Sequence, residues 1–277
     1  MKKVFLIFTM LMMFCTSCFA SAYINNDEVV DWEKGTITLE VAGAPSSRAT
    51  TKGQKKLQAR RAAIMNGMRE LLENVNGINI NGNTTVQDMA FESETTSGMI
   101  QGTIRHAMVV AERYDEEDEL YYVTLKLPLY GSVNSVSSAV MKPVQKEAFP
   151  NPSDNTSSNT YNTPSISSGY NYTGLVVDCR GMNLKPVMSP VIKDTKGTPI
   201  YGYKNLDYNK VVEKGMVGYS SDINSYSRAG SNPLVVKAVS LENFNAYPIL
   251  TEEDANKVLR ENQTSHFLDN TNVVFIR

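Results

Sequence analysis

The sequence predicts an α+β protein in two parts: one long helix packed on a small antiparallel sheet, then a flexible linker, then a second mixed α/β domain. Three observations carry this. Residues 54–77 place apolar side chains at helical spacing, later stretches alternate with the period of a strand, and residues 151–172 are largely Asn, Ser, Thr, Pro, Gly and Tyr without apolar periodicity. The length of 277 residues has room for two domains, and a hydrophobic content of 42% is enough to give each a core.

The helix is the organising element. With Leu57 as origin and about 100° per residue, Ile64, Met65, Met68, Leu71, Leu72 and Val75 fall on one side. Asn76-Gly77 ends it, with the glycine expected in the left-handed conformation. Gly67 sits mid-helix, where it costs about 1 kcal/mol relative to alanine, and is read as a point of close approach to the sheet. Arg61 projects into the apolar stripe, where its charge must be paired or its head must snorkel past the sheet edge; a structural ion pair is expected, with Glu40 as a candidate partner.

The strands come next. Ile37, Leu39 and Val41 alternate with Thr36, Thr38 and Glu40, and Ala42-Gly43-Ala44-Pro45 ends that strand. Residues 78–88 read as a loop or short strand. Residues 99–113 and 120–129 read as a long hairpin around the acidic turn 115–119, with a bulge or a covered outer face expected over 107–111. The second domain is expected to hold a strand at 175–179, a hairpin over 187–203, a short helix at 208–215 and a strand at 234–240. A helix capped by Thr251 and a final strand at 272–276 complete it.

The N-terminus carries a targeting signal. Lys2 and Lys3 precede an apolar run from Val4 to Phe14 and then the small residues Ala20-Ser21-Ala22, so 1–22 reads as a secretory signal peptide cleaved before Tyr23. An uncleaved anchor is the alternative. Lipid attachment at Cys18 is a further route, although Cys15 stands three positions earlier where such signals carry leucine. Simple cleavage removes Cys15 and Cys18 and leaves Cys179 without an internal disulfide partner. Losing Lys2 and Lys3 takes the net charge from −2 to −4, which gives no electrostatic basis for nucleic-acid binding. The expected division is 1–22 signal peptide, 23–142 helix-on-sheet domain, 143–172 linker and 173–277 mixed α/β domain.

Trp32 with Gly35, Ala42-Gly43-Ala44-Pro45, the run Ala59-Arg60-Arg61-Ala62-Ala63 and the segments 102–113 and 122–128 resemble a family of small bacterial outer-membrane lipoproteins. That family is similar to the N-terminal domain of flagellar assembly protein T, and the resemblance covers roughly 29–130. It implies a non-enzymatic envelope role and makes Trp32, Arg61 and Gly67 structural residues.

No reactive constellation competes with that reading. His106 and His266 have no Cys or acidic partner at ligand spacing, so neither a metal nor another cofactor is expected. The acidic turn lacks the spacing of a calcium loop, and Thr51-Lys52-Gly53-Gln54 lacks the first glycine of a phosphate loop. Cys179 has no evident base and reads as packing. The basic residues Lys52, Lys55, Lys56 and Arg60 at the helix start are a candidate contact for an anionic partner, weighed against a plain solvated face. The expectation is an exported, non-enzymatic protein of the periplasm or the periplasmic face of the outer membrane. It would act through contacts with envelope proteins, in outer-membrane or flagellar assembly. A cell-wall or lipid-binding module and an unrecognised hydrolase are the alternatives.

Overall fold

The computed structural model describes residues 29–153 and 171–277, so the signal segment and Cys18 lie outside the described residues. The protein is α+β. Strands β1 (Val30–Asp31), β2 (Thr36–Gly43), β3 (Met108–Asp115) and β4 (Leu120–Pro128) form an antiparallel sheet in the order β1-β2-β4-β3. Alternation sets its faces as expected: Ile37, Leu39, Val41, Tyr121, Val123, Leu125 and Leu127 are buried on one side. The bulge over 107–111 is present, because Val109 pairs with Leu125 and Ala111 with Thr124, leaving Val110 extra.

Helix α1 (Lys52–Asn76) lies on this sheet, entered through a capping box of Thr51 and Gln54. Its orientation differs from the expectation over its first half. The buried residues are Ala59, Ala63, Gly67, Leu71 and Val75, a row at four-residue spacing, whereas Leu57 and Met65 are each 65% exposed. Small side chains win because they let the two backbones come close. A methyl group on Gly67 would lie 2.5 Å from Leu125 Cδ1 and 2.8 Å from Val41 Cγ2, so the close approach read from this glycine is present. Gly43 of β2 sits directly under the backbone of Ala59 and Ala63. The turn at Gly77 is right-handed (φ −76°, ψ −7°), not left-handed: its N–H donates to Glu73 and Ile78 N–H to Val75, which closes the helix without a positive φ.

Two further helices replace expected extended chain. Helix α2 (Val86–Glu92) follows Thr85, and α3 (Glu94–Arg105) follows Ser93, each cap accepting a backbone N–H from three residues on. Residues 99–105 therefore belong to a helix, and only 108–113 of the expected first hairpin strand is β. Thr96, Ile100, Thr103 and Ile104 are buried on one face at helical spacing, and this face outweighs the β preference of the Thr, Ile and Met side chains. Helix α4 (Val136–Val140) closes the first unit.

The second unit holds two sheets. Strands β5 (Gly174–Asp178), β8 (Gly218–Ser220), β9 (Pro233–Lys237) and β12 (Val273–Ile276) form a parallel sheet in the order β8-β12-β5-β9. Strands β6 (Ile192–Asp194), β7 (Pro199–Tyr201), β10 (Ser240–Glu242) and β11 (Tyr247–Leu250) form a mixed sheet in the order β10-β11-β6-β7. Helix α5 (Tyr208–Lys214) precedes β8, and α6 (Glu252–Ser265), capped by Thr251, precedes β12.

The two units share one continuous apolar core. Met188 and Ser189 donate backbone N–H groups to Asn79 and Ile80, while Gly131 N–H and Ser137 Oγ donate to the Val212 carbonyl. Residues 143–153, the first part of the expected linker, run along the second unit. Glu147 N–H donates to the Lys204 carbonyl, Phe149 stacks on Tyr201 with centroids 6.4 Å apart, and Ser153 N–H donates to Asn256 Oδ1. The rest of that segment, 154–170, lies outside the described residues.

Candidate functional site

The basic residues at the start of α1 do not form a free cationic patch. Lys55 Nζ donates to both oxygens of Glu119, at 2.6 and 2.8 Å. Arg60 grips Glu112 through two hydrogen bonds of 2.9 and 2.6 Å, and the Tyr121 hydroxyl donates 2.7 Å to the same carboxylate. These partners hold the Glu112 carboxyl at about 2, well below 4.5, with Arg60 as the larger cause. Lys56 lies 5.4 Å from the centroid of the Tyr114 ring. Only Lys52 of the four is exposed without a partner among the described residues. The cluster fastens the helix to the β3–β4 hairpin.

Arg61 corrects the sequence reading. It is exposed, and Glu40 pairs with Arg113 at 3.2 Å instead. The turn of α1 that buries Ala59 and Ala63 swings Arg61 to solvent and brings Arg60 over the hairpin. The sequence signal that was missed is the small-residue row Ala59, Ala63, Gly67, which marks the sheet-facing side better than the larger side chains do. Glu112 and Tyr121 have no local signature.

Two features of this unit and its seam are open to a ligand or partner. The first is β3, the outer strand of its sheet. Met108, Val109 and Val110 are 53%, 38% and 51% exposed, and among the described residues its backbone pairs only with β4. The exposed acids Glu116, Glu117 and Asp118 follow at its end.

The second is the seam between the units, centred on Trp32. Its ring meets Tyr219 edge-on at 5.6 Å, Tyr219 in turn meets Phe275 at 5.9 Å, and Glu33 accepts hydrogen bonds from Ser220 and Ser225. Trp32 is buried there and borders a cavity of about 200 Å³ and two larger ones. One, of about 620 Å³, opens beside the carboxyl ends of β5, β8 and β12, where open parallel sheets commonly bind ligands. Its charged lining residues, Lys185 and Arg277, are exposed. The other, of about 310 Å³, is lined by Tyr130, Tyr226, Lys214 and the half-buried Arg228, with Glu33 and Glu213 also on its wall.

The remaining reactive side chains are occupied structurally. Burial, and then the neighbouring Asp178, push the Cys179 thiol up to about 12, which keeps it protonated and unreactive at neutral pH. His106 ends α3 with Nδ1 2.8 Å from the Gly102 carbonyl, and His266 ends α6 in the left-handed conformation. No group of three or more His, Cys, Asp or Glu side chains among the described residues is arranged to hold a metal ion. No helix among them is long and apolar enough to cross a membrane.

No curated protein matches the chain. Residues 174–277, which comprise the parallel and mixed sheets with α5 and α6, match the family model described as Treponema pallidum Tp0624, second domain.

Proposed function

We propose that this is an exported, non-enzymatic cell-envelope protein that acts through protein contacts made by the outer edge of β3. The observation that carries the reading is that edge. Natural edge strands are shortened, bulged, charged or covered; β3 has a bulge at Val110 and charges at Glu112, Arg113 and Asp115, yet it runs for eight residues and leaves Met108, Val109 and Val110 exposed. Its unpaired N–H and C=O groups suit an added strand, the geometry of β-augmentation. The acids 116–118 at its end favour a partner segment that is apolar and extended, with basic residues on one side. Export rests on the three-part signal in 1–22, and a setting in outer-membrane or flagellar assembly rests on the resemblance over 29–130.

A photo-crosslinking residue at position 110, introduced into the native host, tests the contact. One adduct of fixed mass is expected from position 110, none from the exposed position 257 on α6, and loss of the adduct when Met108→Lys is added. Equal labelling from both positions refutes the reading, as does an adduct indifferent to Met108→Lys. Mass spectrometry of the mature N-terminus tests the export route: a free Tyr23 means a soluble exported protein, a diacylated Cys18 a membrane-anchored one, and an intact Met1 refutes cleavage.

A further inference from the structure

The cavity of about 310 Å³ at the seam brings Arg228, Lys214 and the Tyr130 hydroxyl onto one lining, with Arg228 lacking a carboxylate partner among the described residues. Arg228 is the centre of this. Its Nε donates to the Thr271 carbonyl (2.8 Å), Nη1 to the Lys214 carbonyl (2.6 Å), and Nη2 to the Gly215 carbonyl and Thr271 Oγ1. Four of its five hydrogens are therefore placed, and one on Nη1 has no partner among the described residues. Carbonyl dipoles orient the guanidinium, but no carboxylate among the described residues pairs with it. A half-buried cation held this way has no carboxylate to cancel its charge among the described residues.

Two further donors line the same space. Lys214 feels Arg228 so closely that, after burial, this repulsion is the next cause pulling its ammonium below the usual value. The Tyr130 ring is packed between Gly35 and Gly215, both at positive φ, where any side chain would meet the ring. Its hydroxyl has no hydrogen-bond partner among the described residues, and burial raises it to about 12, so it remains a donor. Two acids share the lining: Glu33 accepts from Ser220 and Ser225, and Glu213, exposed on α5 beside the equally exposed Lys214, partly offsets the repulsion that Lys214 feels. Trp32 and Tyr226 add aromatic surface, and about 310 Å³ lies at the small end of the range for ligand sites, roughly 300–1,000 Å³.

We infer that this cavity binds a small organic anion whose carboxylate or phosphate is held by Arg228, Lys214 and the Tyr130 hydroxyl, with a ring-sized body against Trp32 and Tyr226. The site is separate from the edge of β3, so neither proposal depends on the other.

Trp32 is the single tryptophan and lines the cavity, so its fluorescence in the full mature chain reports occupancy. Three probes share one ring: N-acetylglucosamine, the same sugar phosphorylated on its primary hydroxyl, and N-acetylmuramic acid, which adds a lactyl carboxylate. A saturable change is expected with one or both charged sugars and none with the neutral one, and whichever charged sugar responds identifies the anion. Arg228 also pins the turns at 214–215 and 271, so the variants are placed elsewhere. Tyr130→Phe removes only the unpartnered hydroxyl and is expected to weaken binding about tenfold with an unchanged melting temperature. Lys214→Met weakens it as well. The inference is overturned if no probe responds, if the neutral sugar responds equally, or if both variants titrate like the parent protein.

Discussion

The two principal sheets meet their surroundings in opposite ways. In the antiparallel sheet, β4 alternates buried and half-buried residues along its length, one face lies under α1, and β3 is exposed along most of its length. In the parallel sheet, all four residues of β12 and the first four of β5 are buried. The difference follows from connection geometry. Parallel strands need crossovers, which cover both faces, whereas antiparallel strands joined by a turn leave one face and one edge to be dealt with separately. Tight packing is therefore concentrated in the second unit and at the contact of α1 with its sheet, while the free polar ladder of β3 remains at the surface.

The largest effect separates the two sheets. Phe275 is fully buried in β12 and touches Tyr219, so Phe275→Ala is expected to cost about 3–5 kcal/mol, read as a lower denaturant midpoint. Val110→Ala on the edge of β3 is expected to stay within about 0.5 kcal/mol. Equal losses at both positions would show that β3 is covered in solution. A smaller effect tests how α1 meets its sheet: Gly67→Leu must displace Leu125 and Val41, at about 1–3 kcal/mol, whereas Met65→Leu on the exposed side should be near neutral.

The smallest effect compares adjacent arginines. Arg60→Met removes the pair with Glu112 and is expected to cost about 0.5–1 kcal/mol because the pair is partly exposed, whereas Arg61→Met should change nothing measurable. The pair also has a pH signature. Glu112 has a depressed value in the folded state, so its stabilising contribution is complete above about 4.5 and is lost as pH falls towards about 2. Acid unfolding profiles should therefore converge for the parent and Glu112→Gln across that window. Profiles that stay parallel would remove Glu112 from the account.

Some of this was legible along the chain and some was not. The alternation of 36–41 and 121–127, the bulge near Val110, the close approach at Gly67, the Thr251 cap and the hairpin around residues 194–197 all follow from patterns a few residues long. The helix at 94–105 was written there too, in the spacing of Thr96, Ile100, Thr103 and Ile104, but its β-favouring composition obscures the period. The partners of the charged groups had no such local form. Arg60 and Glu112 are 52 residues apart, and Arg228 reaches Thr271 across 43.

By itself the sequence determined that a long helix, an alternating sheet and a second α/β unit exist, because helix and strand periods are properties of neighbouring residues. Only the tertiary structure decided which way the first turns of α1 face. Small residues there gain more from backbone approach than Leu57 and Met65 would gain from burial, and that choice sends Arg60 to the hairpin and Arg61 to solvent. The seam likewise exists only in three dimensions. It brings Trp32 and Tyr130 from one unit to Lys214 and Arg228 of the other, and a charge surrounded by carbonyls becomes visible as unpaired only when every neighbour is in place.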